Sequence, residues 1–321
     1  MRLDLRCRKP AVDAGVLAIA VLSLAAACSG TAAPPADPVP AIKELVTRKD
    51  FDGGARLLDN YRSQHGTTPA LLDAMSVLAQ GALADGQAER SEVLAKQAYD
   101  MSTAALVGRT LDQEPRLPIA LGRAIELRAQ ADRRRGARDS ALAFLERQMV
   151  QYRGTSIEKR IQKNINLLTL EGEMAPSLDL SEYLGARPPD LSSLRGRVVV
   201  LFFWAHWCSD CKAQGPILAR LLEKYSDRGL TIVAPTQRYG YVAQGTPAEP
   251  AAETPYIDEV RRTYYPALAD RPIPLSDANH RRYGVSSTPT IVLLDRQGIV
   301  QMYHPGRLGE SELESRIRAL L

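Results

Sequence analysis

Apolar positions recur at helical spacing from Ile42 to about Leu170, in groups such as Ile42, Leu45 and Val46, then Leu142, Leu145 and Met149, then Ile161, Ile165 and Leu168. That period predicts a block of amphipathic helices with no strand between them. Breaks are expected near Gly53-Gly54, Gly66 to Pro69, Pro115 to Pro118 and Gly154, where glycine and proline interrupt the pattern. At Glu171 the texture changes. Residues 174–189 lose the helical period, and Val198 to Phe203 then form a continuous apolar run, as suits a strand covered on both faces. Lys212 to Tyr225 reads as a helix, Leu230 to Ala234 as a second buried strand, and Tyr256 to Leu268 as another helix. Strand, helix, strand implies a parallel pair joined by a crossover. Thr290 to Leu294, the turn Asp295-Arg296-Gln297-Gly298, and Ile299 to Tyr303 predict an antiparallel hairpin, followed by a last helix from Glu310 to Leu321. The expected architecture is an all-α helical domain over 42–171, then a mixed β-sheet flanked by helices over 172–321.

The first 41 residues fit neither block. Arg2, Arg6, Arg8 and Lys9 precede an apolar run from Ala14 to Ala27, shorter than the ~20 residues that cross a bilayer. A basic start and a short apolar stretch predict a signal peptide over 1–27. Leu24-Ala25-Ala26-Ala27-Cys28-Ser29 resembles the lipobox of bacterial lipoproteins, which implies that Cys28 becomes a lipidated N-terminus. Ala25 departs from that pattern, which prefers a larger aliphatic residue there. Simple secretion and an uncleaved anchor are the alternatives, and all three place the bulk of the chain outside the cytoplasm, where disulfide chemistry is admissible. The Ala- and Pro-rich stretch over 28–41 reads as a tether.

With 321 residues, 45% of them hydrophobic and 24% charged, the chain has the make-up of about two globular domains. Of the net charge of +4, the four basic residues of the leader set against Asp4 and Asp13 account for +2. Too little remains for neutralising a row of phosphates, so nucleic acid is not an expected partner.

The cysteines are Cys7, Cys28, Cys208 and Cys211, too few for a disulfide scaffold. The chemistry gathers at Trp207-Cys208-Ser209-Asp210-Cys211, directly after a buried strand and at the start of a helix. Unpaired backbone N–H groups and the helix dipole favour negative charge in a first turn, so Cys208 is expected as the exposed, attacking thiolate. Cys211 lies one turn further in, more buried, and placed to resolve a mixed disulfide by attacking Cys208. A structural zinc site would need about four ligands, and no second Cys-x-x-Cys or His-x-x-x-His completes one.

Four stretches carry a specific resemblance: Gly172-Glu173-Met174-Ala175-Pro176, Leu194-Arg195-Gly196-Arg197, Phe203-Trp204-Ala205-His206-Trp207-Cys208-Ser209-Asp210-Cys211, and Tyr283-Gly284-Val285-Ser286-Ser287-Thr288-Pro289-Thr290. On these, residues 172–321 resemble the TlpA/ResA branch of thioredoxin-fold, membrane-tethered thiol-disulfide oxidoreductases. The resemblance implies a thioredoxin-like sheet, an enzyme without a cofactor, and a redox disulfide between Cys208 and Cys211. It implies that Thr288-Pro289 is the family's cis-proline, facing the cysteines and offering backbone to a docking peptide, and that Pro216 is its helix-kinking proline. Trp204 and Trp207 would bracket the pair and shield it. Implied partners are protein thiols and disulfides of the cell envelope, with cytochrome c and copper-site assembly proteins as examples, reached from a periplasm-facing, lipid-anchored position. In the helical block, Phe51 to Leu58 and Ser140 to Leu145 look like second helices of tetratricopeptide (TPR) repeats, although no ~34-residue period survives. This TPR-like domain would act as a spacer or dimerisation unit, or offer a partner groove.

The departures bear on direction. Asp210 puts a carboxylate near the thiols, which raises cysteine pKa and favours a reducing poise. His206 reads as a solvent-facing loop residue; protonated near Cys208 it would act the other way. Phe202 stands where thioredoxins have a buried acid, and Gln214 replaces a glutamate common three residues after the second cysteine. Residues 236–254, rich in Gly, Pro and Ala, read as a flexible flank. Two other functions compete. A thiol peroxidase would want threonine where Ala205 stands. A redox-inactive or copper(I)-handling binding module would use the cysteine pair as soft ligands and the helical domain for recruitment.

Overall fold

The computed structural model describes residues 37–271 and 273–321, so the expected leader and Cys28 lie outside the described residues. Seven helices come first: α1 (Pro38–Thr47), α2 (Phe51–His65), α3 (Pro69–Ala84), α4 (Ala88–Ala104), α5 (Leu117–Arg134), α6 (Arg138–Gln151) and α7 (Glu158–Thr169). The all-α block predicted from the apolar period is therefore present, with two corrections at its start. Helix α1 begins at Pro38, inside the expected tether. Asp37 caps it by accepting the Val39 N–H at 3.1 Å, Pro38 has no N–H to leave unpaired in the first turn, and the Asp37 carboxylate holds Arg116 through two bonds of 2.8 and 2.6 Å.

The second correction concerns Gly53-Gly54, where α2 runs on without a break. The chain turns earlier, at residues 48–50, and Asp50 caps α2 through the Gly53 N–H at 2.7 Å. A Cβ on Gly54 would stand 2.6 Å from Leu78 Cδ1 of α3, so glycine serves close helix packing here and not a turn. Two apolar clusters hold the block together, one around Ile42, Phe51, Leu71 and Leu78, the other around Leu117, Leu121, Ile125, Leu145 and Ile161.

Beyond α7 comes the mixed sheet. A two-residue strand β1 (Tyr183–Leu184) precedes β2 (Val198–Phe203), α8 (Ser209–Tyr225), β3 (Leu230–Val233), α9 (Pro250–Tyr264), the short β4 (Ile273–Pro274), α10 (Asp277–Arg282), β5 (Thr290–Leu294), β6 (Val300–Pro305) and α11 (Glu310–Leu320). The main sheet has the order β3-β2-β5-β6. As the sequence implied, β2 and β3 are parallel, while β5 pairs antiparallel with both β2 and β6. Strands β1 and β4 form a separate antiparallel pair. Helix α9 starts six residues before its expected position and stops at Tyr264, with Leu268 in a separate 3-10 turn. Pro250 begins it, a position where proline costs no hydrogen bond, so its Pro- and Ala-rich first turn disguised it as loop.

Strand β2 explains its own unbroken apolar run. Val198, Val200 and Phe202 pack into a cluster with Leu218, Leu221 and Leu222 of α8 and Ile257 of α9. Val199, Leu201 and Phe203 pack on the other face with Leu170, Tyr283 and Val285. Both faces are dry, and each such side chain contributes about 1.5–3 kcal/mol on burial. The end of β2 is thereby a rigid platform for the loop that follows.

Helix α7 fastens the helical block to the sheet region. Lys159 Nζ donates to Gln237 Oε1 at 2.9 Å and pairs with Asp277 at 2.5 Å. Asn166 Nδ2 donates to the Arg282 carbonyl at 3.4 Å. Gly284 closes the contact: it has φ +62°, and a Cβ there would lie 2.3 Å from Lys163 N and 2.6 Å from Gln162 C.

Candidate active site

Strand β2 ends at Phe203, and five residues later Cys208 is the N-cap of α8. The Cys208–Cys211 disulfide spans the first turn, with Cα atoms 5.2 Å apart. Cys208 Sγ accepts the Cys211 N–H at 3.0 Å, filling the place that a serine or aspartate oxygen takes in an ordinary helix cap. Once the disulfide opens, that N–H and the helix dipole both favour negative charge on this sulfur. On the opposite side, Sγ of Cys208 lies 3.3 Å from the carbonyl oxygen of Thr288. The Thr288–Pro289 bond is cis, and the amide N–H of Thr288 has no partner among the described residues.

Exposure differs from expectation at Cys208 and His206. Cys208 is only 4% exposed, although it is still the outer sulfur, since Cys211 is fully buried. Trp204 is buried in the same apolar cluster as Cys208 and Cys211, donates Nε1–H to the Ala234 carbonyl at 2.9 Å, and packs against Tyr265. Trp207, half exposed, stands beside the pair with its ring edge-on to Tyr239.

His206 is the largest correction. It is 1% exposed and not solvent-facing, with Nε2 at 3.3 Å from Oε1 of the equally buried Glu253. The Glu253 carboxylate also accepts the N–H groups of Tyr239 at 2.5 Å and Gly240 at 2.9 Å. Edges of Tyr239, Tyr241 and Tyr256 surround the imidazole, and its Nδ1 has no partner among the described residues. Burial pulls the His206 pKa below its ordinary value, with Glu253 opposing. The same contacts anchor the two ends of 236–254, while residues 243–247 between them are exposed. Thr236, Gln237 and Glu253 are buried, and Glu253 ties the segment to the loop preceding Cys208. Sequence reasoning missed Glu253 altogether, because its partners lie 47 and 13–14 residues away and its neighbours are Ala, Pro and Thr.

Asp210 is exposed on the first turn of α8, 3.6 Å from Arg307. A solvent-screened carboxylate with a cationic neighbour perturbs the sulfurs less than an isolated one. Gln214 is fully buried; its Oε1 accepts the Leu308 N–H at 3.0 Å, while Nε2 lacks a partner among the described residues. Phe202 packs edge-on against Tyr265. Pro216 lies inside α8, where it cannot donate to the carbonyl one turn back. Among the described residues no group of three or more His, Cys, Asp and Glu side chains is arranged to hold a metal ion.

Residues 172–303 match the AhpC/TSA family. The chain is similar to the thioredoxin-like protein YneN of Bacillus subtilis, 30% identical over 150 residues that make up 46% of this chain and 78% of that protein. It is similar also to the thiol-disulfide oxidoreductase ResA of Geobacillus thermodenitrificans, 28% identical over 149 residues, 46% of this chain and 77% of that protein. Among solved structures, a thiol:disulfide interchange protein DsbE from Chlorobium tepidum aligns with 47% of this chain and 96% of its own, at 26% identity and a TM-score of 0.37.

Proposed function

The chain belongs to the thioredoxin-like thiol-disulfide oxidoreductases, and from that premise we propose that Cys208 attacks, Cys211 resolves, and the net direction is reduction of client proteins in the cell envelope. The observation that carries this assignment is the capping sulfur: Cys208 Sγ receives the Cys211 N–H and faces the Thr288 carbonyl.

In the reduced protein the Cys208 thiolate attacks one sulfur of a client disulfide. A bond forms between Cys208 and that sulfur, and the other client sulfur leaves as a thiolate that takes a proton from solvent. Cys211 then loses its proton, attacks Cys208 Sγ, and releases the second client thiolate. Two cysteines of the client are reduced, and Cys208–Cys211 is oxidised. A dithiol donor must return two electrons and two protons for the next cycle. The Thr288 N–H offers a pairing site for the client's backbone, and half-exposed Trp207 an apolar flank.

A reducing poise is supported by the charge balance around the pair. Buried His206 has its Nε2 on the Glu253 carboxylate, and Asp210, although screened by Arg307, still places a carboxylate on the first turn. Lipid attachment at Cys28, through the leader, would hold the protein at the membrane with its cysteines in an oxidising compartment. Among the described residues no helix is long and apolar enough to cross a membrane.

Two measurements on the wild-type protein test the proposal: dithiothreitol-coupled insulin reduction, and equilibration of the cysteine pair in glutathione or dithiothreitol buffers. Turnover is expected, with a potential nearer to the ~−270 mV of thioredoxin than to the ~−120 mV of DsbA. A potential at the DsbA end overturns the direction. Absence of turnover together with stoichiometric copper(I) uptake would favour the binding-module alternative.

A further inference from the structure

A cleft of about 490 Å³ opens where the helical block meets the loop leading to Thr288. This is within the size of ligand pockets, roughly 300–1,000 Å³. Its apolar floor is Pro115, Pro118, Ile119 and Ile157, and Ser286 forms the wall on the sheet side. Ser286 lies two residues before Thr288, about 7 Å of extended chain, and the Thr288 carbonyl touches Cys208 Sγ at 3.3 Å. A polypeptide joined to Cys208 and running along this loop would enter the cleft within two to three residues of its own cysteine.

The charges in the cleft are not equally satisfied. Asp112 accepts both the hydroxyl and the N–H of Ser156, at 2.5 and 3.1 Å. Glu114 accepts the N–H groups of Arg116 and Leu117, at 2.9 and 2.8 Å. The Arg160 guanidinium donates no hydrogen bond among the described residues, although the Arg160 carbonyl accepts from Asn164 Nδ2 at 2.8 Å. The carboxylate nearest to it is Glu126, at 3.9 Å, which is already bonded to Lys163 at 2.6 Å. A part-buried guanidinium with open donors and an apolar floor beside it fits a carboxylate on an extended chain. We propose that this cleft seats the client polypeptide beyond its reacting cysteine, with apolar side chains over Ile119 and an acidic side chain on Arg160. The helical block is then a client-selecting surface. This inference rests on the exchange reading above.

The test uses the full chain carrying Cys211→Ala. The probes are peptides with one cysteine activated as a mixed disulfide with 5-thio-2-nitrobenzoate. Cys208 attacks the peptide sulfur, the new disulfide stays, and the coloured thiolate leaves. One probe is acetylated cysteine amide; the others carry six further residues on one flank, apolar with a single Glu or a single Lys. The readout is the ratio of long-probe to short-probe rate constants within each protein. We expect the Glu probe to gain about tenfold, from one charge-assisted contact plus apolar burial, on one flank only. Ile119→Asp and Arg160→Gln should return that ratio to near one. A ratio near one in the parent protein, a gain equal for Glu and Lys, or a gain kept by both variants would overturn the cleft. Failure of even the short probe to react at Cys208 would instead remove the exchange reading on which it rests.

Discussion

Cys208→Ser reduces insulin turnover to the uncatalysed background, a loss on the order of 10³-fold or more, because a hydroxyl is neither ionised near neutral pH nor able to form the mixed disulfide. The serine oxygen should still cap α8, since an N-cap hydroxyl accepts the same Cys211 N–H, so the melting temperature of the reduced variant should stay within a few degrees of reduced wild type. Cys211→Ala should behave differently. It leaves the attacking sulfur in place and removes the resolving one, so covalent adducts accumulate and turnover stops after one event. Comparable turnover by Cys208→Ser and wild type would refute the assignment, and so would adducts that accumulate in Cys208→Ser and not in Cys211→Ala.

Gly284→Ala should destabilise the protein by about 2–5 kcal/mol. Two independent penalties combine. The residue has φ +62°, a region that costs an L side chain roughly 1–2 kcal/mol. Its new methyl would also meet helix backbone, at 2.3 Å from Lys163 N and 2.6 Å from Lys163 Cα, and overpacking costs typically about 1–3 kcal/mol. No flexible side-chain end is available to move aside, so α7 must shift and its bonds to Gln237, Asp277 and the Arg282 carbonyl must lengthen. Calorimetry should show a fall in melting temperature on the order of 10 °C. A change under about 2 °C would mean that α7 does not bear on Gly284 in solution.

How much of this was legible in the sequence depends on how local each feature is. The apolar run of β2, the helix after it and the Cys-x-x-Cys between them are contiguous, and their periods and spacing carry the mixed sheet and the place of the cysteines without any long-range knowledge. The parallel β2–β3 pair and the closing hairpin follow from element order in the same way. Glycine was ambiguous. Gly54 signals a break by composition, yet its role is the approach of α2 to Leu78, which only the folded chain reveals. His206 and Glu253 illustrate the harder case. A histidine in a loop has solvent as its default, and a glutamate among alanines and prolines has the same default; only their meeting, with two backbone N–H groups and three tyrosine rings, makes burial tolerable. The open hydrogen-bond donors of the Arg160 guanidinium were invisible for a related reason, since nothing along a helix shows that a neighbour's carboxylate is shared with Lys163.

The central claim is that the sulfur capping α8, and not its neighbour one turn inward, carries the nucleophile. Reduced wild-type protein treated near pH 7 with less than one equivalent of iodoacetamide, then digested and mapped by mass spectrometry, tests it without any assumption about a client. Alkylation should fall on Cys208 in at least about tenfold preference over Cys211; equal labelling, or an excess on Cys211, would contradict the account.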